Sequence, residues 1–246
     1  NDTGGRDNTA LESSEIVTFV KARLDCSTGG AFPYDYNEIQ DVYYSNNSDE
    51  VVFAVFATRS PEVAGSAVCA YRLEDIEALF LNGQFRAQIA DAELWRTLET
   101  DPVTPRQATC HNGTIYSDAE YTKILNWGQL MADTAANKLH YDSPSGIRSN
   151  PLLVSYGERF SQIVVDEDVL DSSIDVMFIG TENGTVLKAY MNDDRSEARI
   201  VEEISMNTDG RKTPVLTMLK SAADQAIFVG TDIGVYKIPF QHCQDF

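Results

Sequence analysis

Met177-Phe-Ile-Gly-Thr-Glu-Asn-Gly-Thr-Val-Leu-Lys-Ala-Tyr190 recurs downstream as Ile227-Phe-Val-Gly-Thr-Asp-Ile-Gly-Val-Tyr-Lys-Ile238, with Gly180 and Gly230 fifty residues apart. A third, degenerate copy ends in Gly65-Ser-Ala-Val-Cys-Ala-Tyr71, which matches Gly184-Thr-Val-Leu-Lys-Ala-Tyr190 position for position. Each copy is a β-branched and aromatic run, a tight glycine-containing turn and a second run, the signature of a β-hairpin. Extended segments precede the three hairpins at residues 36–43, 160–166 and 214–220. Units of about fifty residues built from β-meanders predict an all-β β-propeller with one unit per blade. Such a scaffold fixes the fold without fixing the function.

The chain has 246 residues, enough for one large all-β domain, and 43% apolar content supplies its core. Lys and Arg number 19 against 38 Asp and Glu, a formal charge of −19. That balance repels phosphate backbones and anionic membrane surfaces and argues against nucleic-acid binding. No run of about twenty apolar residues is present, so this segment is not expected to insert into a membrane. The opening Asn1-Asp-Thr-Gly-Gly-Arg-Asp is polar and unlike a signal peptide, so a signal is expected upstream of it. Four N-x-S/T sequons occur, at Asn1, Asn46, Asn112 and Asn183. Together with cysteines Cys26, Cys69, Cys110 and Cys243 they favour the secretory pathway and make these asparagines glycosylation candidates. The cysteines form no CxxC pair and have no histidine at ligand spacing, which favours disulfides over a zinc site. Four cysteines allow three complete pairings, among which spacing does not choose.

Along the chain, residues 16–26 read as one strand, and a first full blade follows with strands at 36–43, 51–58 and 66–72. The pattern then changes. Leu73, Ile76, Leu79 and Phe80 repeat at helical spacing, and residues 116–136 read similarly, with Asp118 as the expected N-cap. A partly helical insertion of about seventy residues therefore interrupts the repeat, which resumes at Asn150-Pro-Leu-Leu-Val154. Three blades cannot close a ring, and open edges expose unpaired backbone, so a larger domain is expected.

Catalytic signatures are missing from the sequence: it contains no G-x-S-x-G, H-E-x-x-H, P-loop or G-x-G-x-x-G. His111, His140 and His242 are scattered among different elements, and the acidic pairs at Asp166-Glu-Asp168 and Asp193-Asp194 lack the alternating ligands and glycine of a calcium loop. Neither an enzyme, a metal nor a cofactor is expected. Lys188 and Lys237 fall at corresponding positions of the repeat and read as structural lysines.

Seven motifs in order resemble the semaphorin sema domain. They are Asn1-Asp-Thr-Gly-Gly5, Phe19-Val-Lys-Ala-Arg-Leu-x-Cys-Ser27, Asn37-Glu-Ile-Gln-Asp-Val42, Gly65-Ser-Ala-Val-Cys-Ala-Tyr71, Pro105-Arg106-(x)3-Cys110, Phe160-x-Gln-Ile-Val-Val-Asp166 and Asp175-Val-Met-Phe-Ile-Gly-Thr181. The resemblance covers essentially the whole chain. It implies the C-terminal part of one seven-bladed propeller, from the last strand of blade four to blade seven. On that reading the blade-five extrusion spans about 74–149, and the N-terminal blades and a following cysteine-rich module lie outside this chain. It implies an extracellular guidance ligand, secreted or anchored through another segment, that binds a plexin receptor as a homodimer. The alternative is a receptor-side sema domain, as in plexin or Met-like ectodomains. It further implies a Cys26–Cys69 disulfide and partners outside this chain for Cys110 and Cys243. The extrusion departs from the family pattern at Leu125-Asn-Trp-Gly-Gln-Leu-Met131, and Pro105-Arg-Gln-Ala-Thr-Cys110 departs from Pro-Arg-Pro-Gly-x-Cys, as in a divergent invertebrate member. Arg6, Asp7, Asn126, Trp127, Gln129 and Met131 are the candidate plexin or dimer contacts.

Overall fold

A computed structural model of the chain describes residues 20–29, 33–45, 50–59, 64–87, 94, 96–101, 104, 106, 117, 119–120, 130–132, 135–136, 151–169, 174–192, 196–207 and 210–240. Strands β1 (Val20–Lys21), β2 (Leu24–Asp25), β3 (Glu38–Ser45), β4 (Val51–Ala57) and β5 (Gly65–Arg72) lead into helix α1 (Leu73–Asn82). Strands β6 (Phe85–Ala87), β7 (Arg96–Thr97), β8 (Leu130–Ala132) and β9 (Ala135–Ala136) follow. The rest is β10 (Leu153–Tyr156), β11 (Phe160–Val169), β12 (Ile174–Thr181), β13 (Thr185–Met191), β14 (Ala198–Ser205), β15 (Val215–Ser221), β16 (Ala226–Thr231) and β17 (Val235–Pro239). The chain divides into two compact units, one of residues 1–24 and 74–135, the other of 25–73 and 136–246.

The larger unit is a stack of antiparallel meanders, ordered β10-β5-β4-β3, β11-β12-β13-β14 and β15-β16-β17. The repeat predicts these sheets, and each copied hairpin is the second and third strand of one of them. Two of the three turns are as short as expected. The first, residues 58–64, is longer. The fourth strand of the first meander, β10, comes from beyond the insertion and pairs with β5 through Leu153↔Val68 and Val154↔Ala67. The expected single strand at 16–26 is not continuous, because Ala22 and Arg23 separate β1 from β2.

Side chains on a strand point alternately to opposite faces, and in the middle sheet both faces are covered. Ile163, Val165, Met177, Ile179, Leu187 and Ala189 join a cluster with Val51, Phe53, Val55, Val68 and Ala70 of the first sheet. The intervening Val164, Phe178 and Val186 join Val215, Met218, Ile227, Val229 and Ile238 of the last. Double-sided burial explains why β12 reads as a continuous apolar run, not an alternating one. The flanking sheets expose part of their outer faces. Val42 and Tyr44 on β3, and Leu219 and Val235 on the last sheet, are about half to three-quarters exposed.

The first strands of the three meanders, β3, β11 and β15, share one irregularity. Their pairing slips between Ile39 and Asp41, between Phe160 and Gln162, and between Val215 and Thr217. A bulge at the same place in each meander raises local twist and bends the strand. Polar side chains beside the bulges bond the backbone of the neighbouring meander: Asp41 Oδ2 accepts from the Ile163 amide at 2.9 Å, and Ser161 Oγ donates to the Val215 carbonyl at 2.8 Å.

Cys26 and Cys69, both buried, form a disulfide with Cα atoms 5.9 Å apart. This is the pair that the family resemblance names. It holds the 25–36 segment against β5, where Tyr71 also donates to the Asp25 carbonyl at 3.0 Å. A closed loop of 43 residues stabilises by about 3–4 kcal/mol through the entropy it removes from the unfolded chain. Replacing both cysteines by alanine should lower the unfolding free energy by about that amount. A urea midpoint that does not move would show that the cross-link adds nothing.

Candidate functional site

The smaller unit carries the insertion, where the contact candidates fall. Helix α1 begins directly after β5, with Glu74 and Asp75 in its first turn, where carboxylates complement the helix dipole. Leu73, Ile76, Leu79 and Phe80 are its less exposed positions, as their spacing predicts. Its last turn contains no basic residue, so the terminal carbonyls need a donor from elsewhere. Arg106 supplies it. Nε donates to the Phe80 carbonyl at 2.7 Å, a terminal nitrogen reaches the Gly83 carbonyl, and Nη1 pairs with Asp101 Oδ1 at 2.5 Å. The guanidinium carbon also lies 4.0 Å from the centroid of the Phe85 ring.

That ring is part of a small sheet ordered β1-β8-β6-β7, in which β8 is parallel to β1 and antiparallel to β6. Phe85 and Ala87 are buried against Ala22, Leu79, Phe80 and Leu98. Met131 sits in β8, in register with Lys21 and Arg86. The helical reading of 116–136 is thereby corrected at its C-terminal end: Leu130–Ala132 is strand, recruited by β1 and β6 across long stretches of sequence. At the helical turn Ala119–Glu120 a cap forms with Ser117, while the expected cap Asp118 lies outside the described residues. Ser117 Oγ accepts from the Glu120 amide while the Glu120 carboxylate accepts from the Ser117 amide at 2.8 Å, a capping box. Arg6, Asp7, Asn126, Trp127 and Gln129 lie outside the described residues, as do Cys110, Cys243, the three histidines and the sequons at Asn1, Asn46 and Asn112.

In the larger unit, charged groups gather on the first strands of the meanders. Lys220 Nζ lies 3.3 Å from Asp166 and 3.4 Å from Glu167, and Tyr43 donates its hydroxyl to Glu167 at 3.3 Å. Burial, then the Glu167 carboxylate, pushes the Tyr43 phenol up to about 12. Burial, then Tyr156 and Tyr34, does the same for Tyr36. The carboxylates are held by a lysine and a phenol, an arrangement that ties β3, β11 and β15 together. Lys188 and Lys237 each lie over the phenylalanine paired with them on the next strand, Phe178 at 5.6 Å and Phe228 at 5.8 Å. Lys188 also donates to the Phe240 carbonyl at 2.6 Å and Lys237 to Asp224 Oδ1 at 2.7 Å, so each ammonium is held by an acceptor within the fold. Sequence reading named Arg106 only as part of a family motif and missed its role as a cap, and it missed the role of Lys220. The base-free last turn of α1 was the available signal for the first. Nothing local marks the second, whose partner Glu167 is 53 residues away.

Among the described residues no helix is long and apolar enough to cross a membrane, and no three His, Cys, Asp or Glu side chains gather as metal ligands. The family model for the Sema domain matches residues 39–222. Human Semaphorin-5B is 32% identical over 245 residues, covering 99% of this chain and 20% of that protein. Drosophila Semaphorin-2A is 30% identical, covering 98% of this chain and 32% of that protein. The chain thus spans a fifth to a third of the length of these relatives. Among solved structures, Drosophila Semaphorin 2a superposes with a TM-score of 0.79 at 27% identity, over 98% of this chain and 37% of that one. The structure of Drosophila Plexin A in complex with Semaphorin 1b matches with a TM-score of 0.76 at 26% identity, over 98% of this chain and 48% of that one.

Two outcomes follow from the geometry. Arg106→Lys keeps the charge but not the fork that meets two carbonyls and a carboxylate, so α1 should lose roughly 1–3 kcal/mol of local stability. Amide hydrogen exchange along α1 measures this, and unchanged protection would remove Arg106 as its cap. The second outcome concerns pH. The folded-state pKa values of Tyr36 and Tyr43 lie above the ordinary 10.0, so the stability they lend is complete below pH 10 and declines as pH rises toward 12. Tyr43→Phe should flatten part of that decline in urea titrations, and a slope equal to that of the parent protein would count against it.

Proposed function

The chain belongs to the Sema domain family, and from that premise we propose that it is part of an extracellular signalling ligand that binds a plexin receptor and acts as a dimer. The observation that carries the reading is the agreement between the ordered motifs and the Sema domain match over residues 39–222. The neighbour solved as Plexin A in complex with Semaphorin 1b supports the choice of partner. Binding, not catalysis, is the function that this family implies.

We assign the stack to the later blades of a seven-bladed ring. The three sheets are blades five, six and most of seven, β1 and β2 belong with the end of blade four, and the extrusion spans about 74–149. The half-exposed apolar side chains on the outer sheets support this, because further sheets of a ring would cover Val42 and Tyr44 at one end and Leu219 and Val235 at the other. Cys110 and Cys243 then find partners in other parts of the protein. Arg6, Asp7, Asn126, Trp127, Gln129 and Met131 are the proposed contacts with the receptor or the second sema domain. A dimer presents two receptor-binding edges, and two engaged receptors raise the effective affinity without any new contact.

The decisive experiment is co-purification of the complete secreted ectodomain with a panel of plexin ectodomains, sized by light scattering. The expected result is an assembly of two sema domains and two plexins. Trp127→Ala should weaken it by roughly tenfold or more if that side chain is an interfacial anchor. A folded ectodomain that ignores every plexin but captures a semaphorin would instead place the chain on the receptor side.

A further inference from the structure

The repeat supplies an internal control for one short stretch. The turn Thr181-Glu182-Asn183-Gly184-Thr185 joins β12 to β13, and its copy Thr231-Asp232-Ile233-Gly234-Val235 joins β16 to β17. Both are three-residue connections in which the hydroxyl-bearing threonine ends the strand and a glycine ends the turn. In the second copy Ile233 takes the place of the asparagine, and Thr185 has no counterpart, because the ladders pair Gly180 with Val186 and Gly230 with Val235; the hairpin still forms. A hairpin of this repeat therefore forms without counterparts of Asn183 and Thr185. It does require the glycine between them. Gly184 has φ +79°, and a Cβ there would meet the Asn207 side chain and the Thr213 carbonyl.

What the first copy adds is a sequon in a fixed geometry. Asn207 holds the turn from below, its Nδ2 donating to the Asn183 carbonyl at 2.9 Å while its Oδ1 accepts from the Thr213 amide at 2.8 Å. Lys212 Nζ lies 3.0 Å from Asn183 Oδ1. An ammonium can only donate, so this contact fixes which end of the amide is oxygen and leaves Nδ2 as the other end. No acceptor among the described residues engages that nitrogen. Asn183 and Thr185 are both partly exposed.

We propose that Asn183 carries an N-linked glycan, and that Lys212 and Asn207 form the seat that orients the modified amide. In the transfer, Nδ2 forms a bond to the anomeric carbon of a lipid-pyrophosphate-linked oligosaccharide. The bond from that carbon to the pyrophosphate oxygen breaks, the lipid pyrophosphate leaves, and the amide nitrogen gives up one proton. Oδ1 remains a carbonyl oxygen, so the Lys212 contact survives modification. The inference rests on the extracellular reading, since only a chain entering the secretory pathway meets this donor.

The test uses the full ectodomain secreted from animal cells, with intact glycopeptides measured by mass spectrometry. Reading the intact glycopeptide avoids the ambiguity of an Asn-Gly pair, which also deamidates unaided. The expected result is a glycan on most copies of the Asn183 peptide, lost in Thr185→Val and retained in Thr185→Ser. Secretion and melting temperature should be unchanged in both, because among the described residues no hydrogen bond uses the Thr185 hydroxyl. An unmodified Asn183 peptide, from a protein glycosylated at its other sequons, would overturn this inference and leave the extracellular reading standing. A chain retained in cells with no glycan at any sequon would overturn both.

Discussion

The sheet β11–β14 has apolar side chains on both faces, and most of the larger unit follows from the need to hide them. A single covering layer would leave either Phe178 or Met177 in water, and each such side chain is worth roughly 1.5–3 kcal/mol when buried. Both are fully buried because one meander lies on each side of the sheet. Close approach on the second side has a local requirement. A Cβ on Gly180 would stand 2.5 Å from Val215 Cγ1 and 2.9 Å from its Cβ, so the glycine lets β15 come near enough for Val215 and Met218 to reach the Phe178 cluster.

The first strand of each of the three meanders carries a bulge, which bends the strand and raises its local twist. A bulge leaves backbone groups without ladder partners, which is costly where water is excluded. The side chains of Asp41 and Ser161 bond edge-strand backbone of the neighbouring meander, at Ile163 and Val215. Farther along the same strands, Lys220 offsets Asp166 and Glu167, so carboxylates that would repel one another instead draw β11 and β15 together. Polar residues on the first strands thus do for orientation what the apolar clusters do for cohesion.

The meanders were legible in the sequence because each strand depends on neighbours one hairpin away, and a fifty-residue repeat announces itself three times. Helix α1 was legible for the same reason: its apolar positions and its N-terminal acids are local. What could not be read shared one property, dependence on a distant partner. Residues 130–132 carry helix-compatible Leu, Met and Ala, yet they form a strand because β1 and β6 offer backbone partners on either side. Of the candidate contact residues, Met131 alone lies among the described residues, so the surface implied by family resemblance rests on sequence for its other members.

Internal repetition shows that a position is constrained without showing why. Gly180 and Gly230 occupy the same place in the two copies. Added Cβ atoms there would strike different things: the next sheet's Val215 in one case, and Thr217 on the adjacent strand of the same sheet in the other. Lys188 and Lys237 likewise share a position above a cross-strand phenylalanine, but one ends on the Phe240 carbonyl and the other on Asp224 at 2.7 Å. The lysine stem covers the ring in both copies, while the ammonium takes whatever acceptor its own surroundings provide. A residue shared by the copies therefore marks a demand of the hairpin itself. A residue present in one copy alone calls for an explanation outside the hairpin, in the neighbouring sheet, the loop beneath it or the chemistry of the surface.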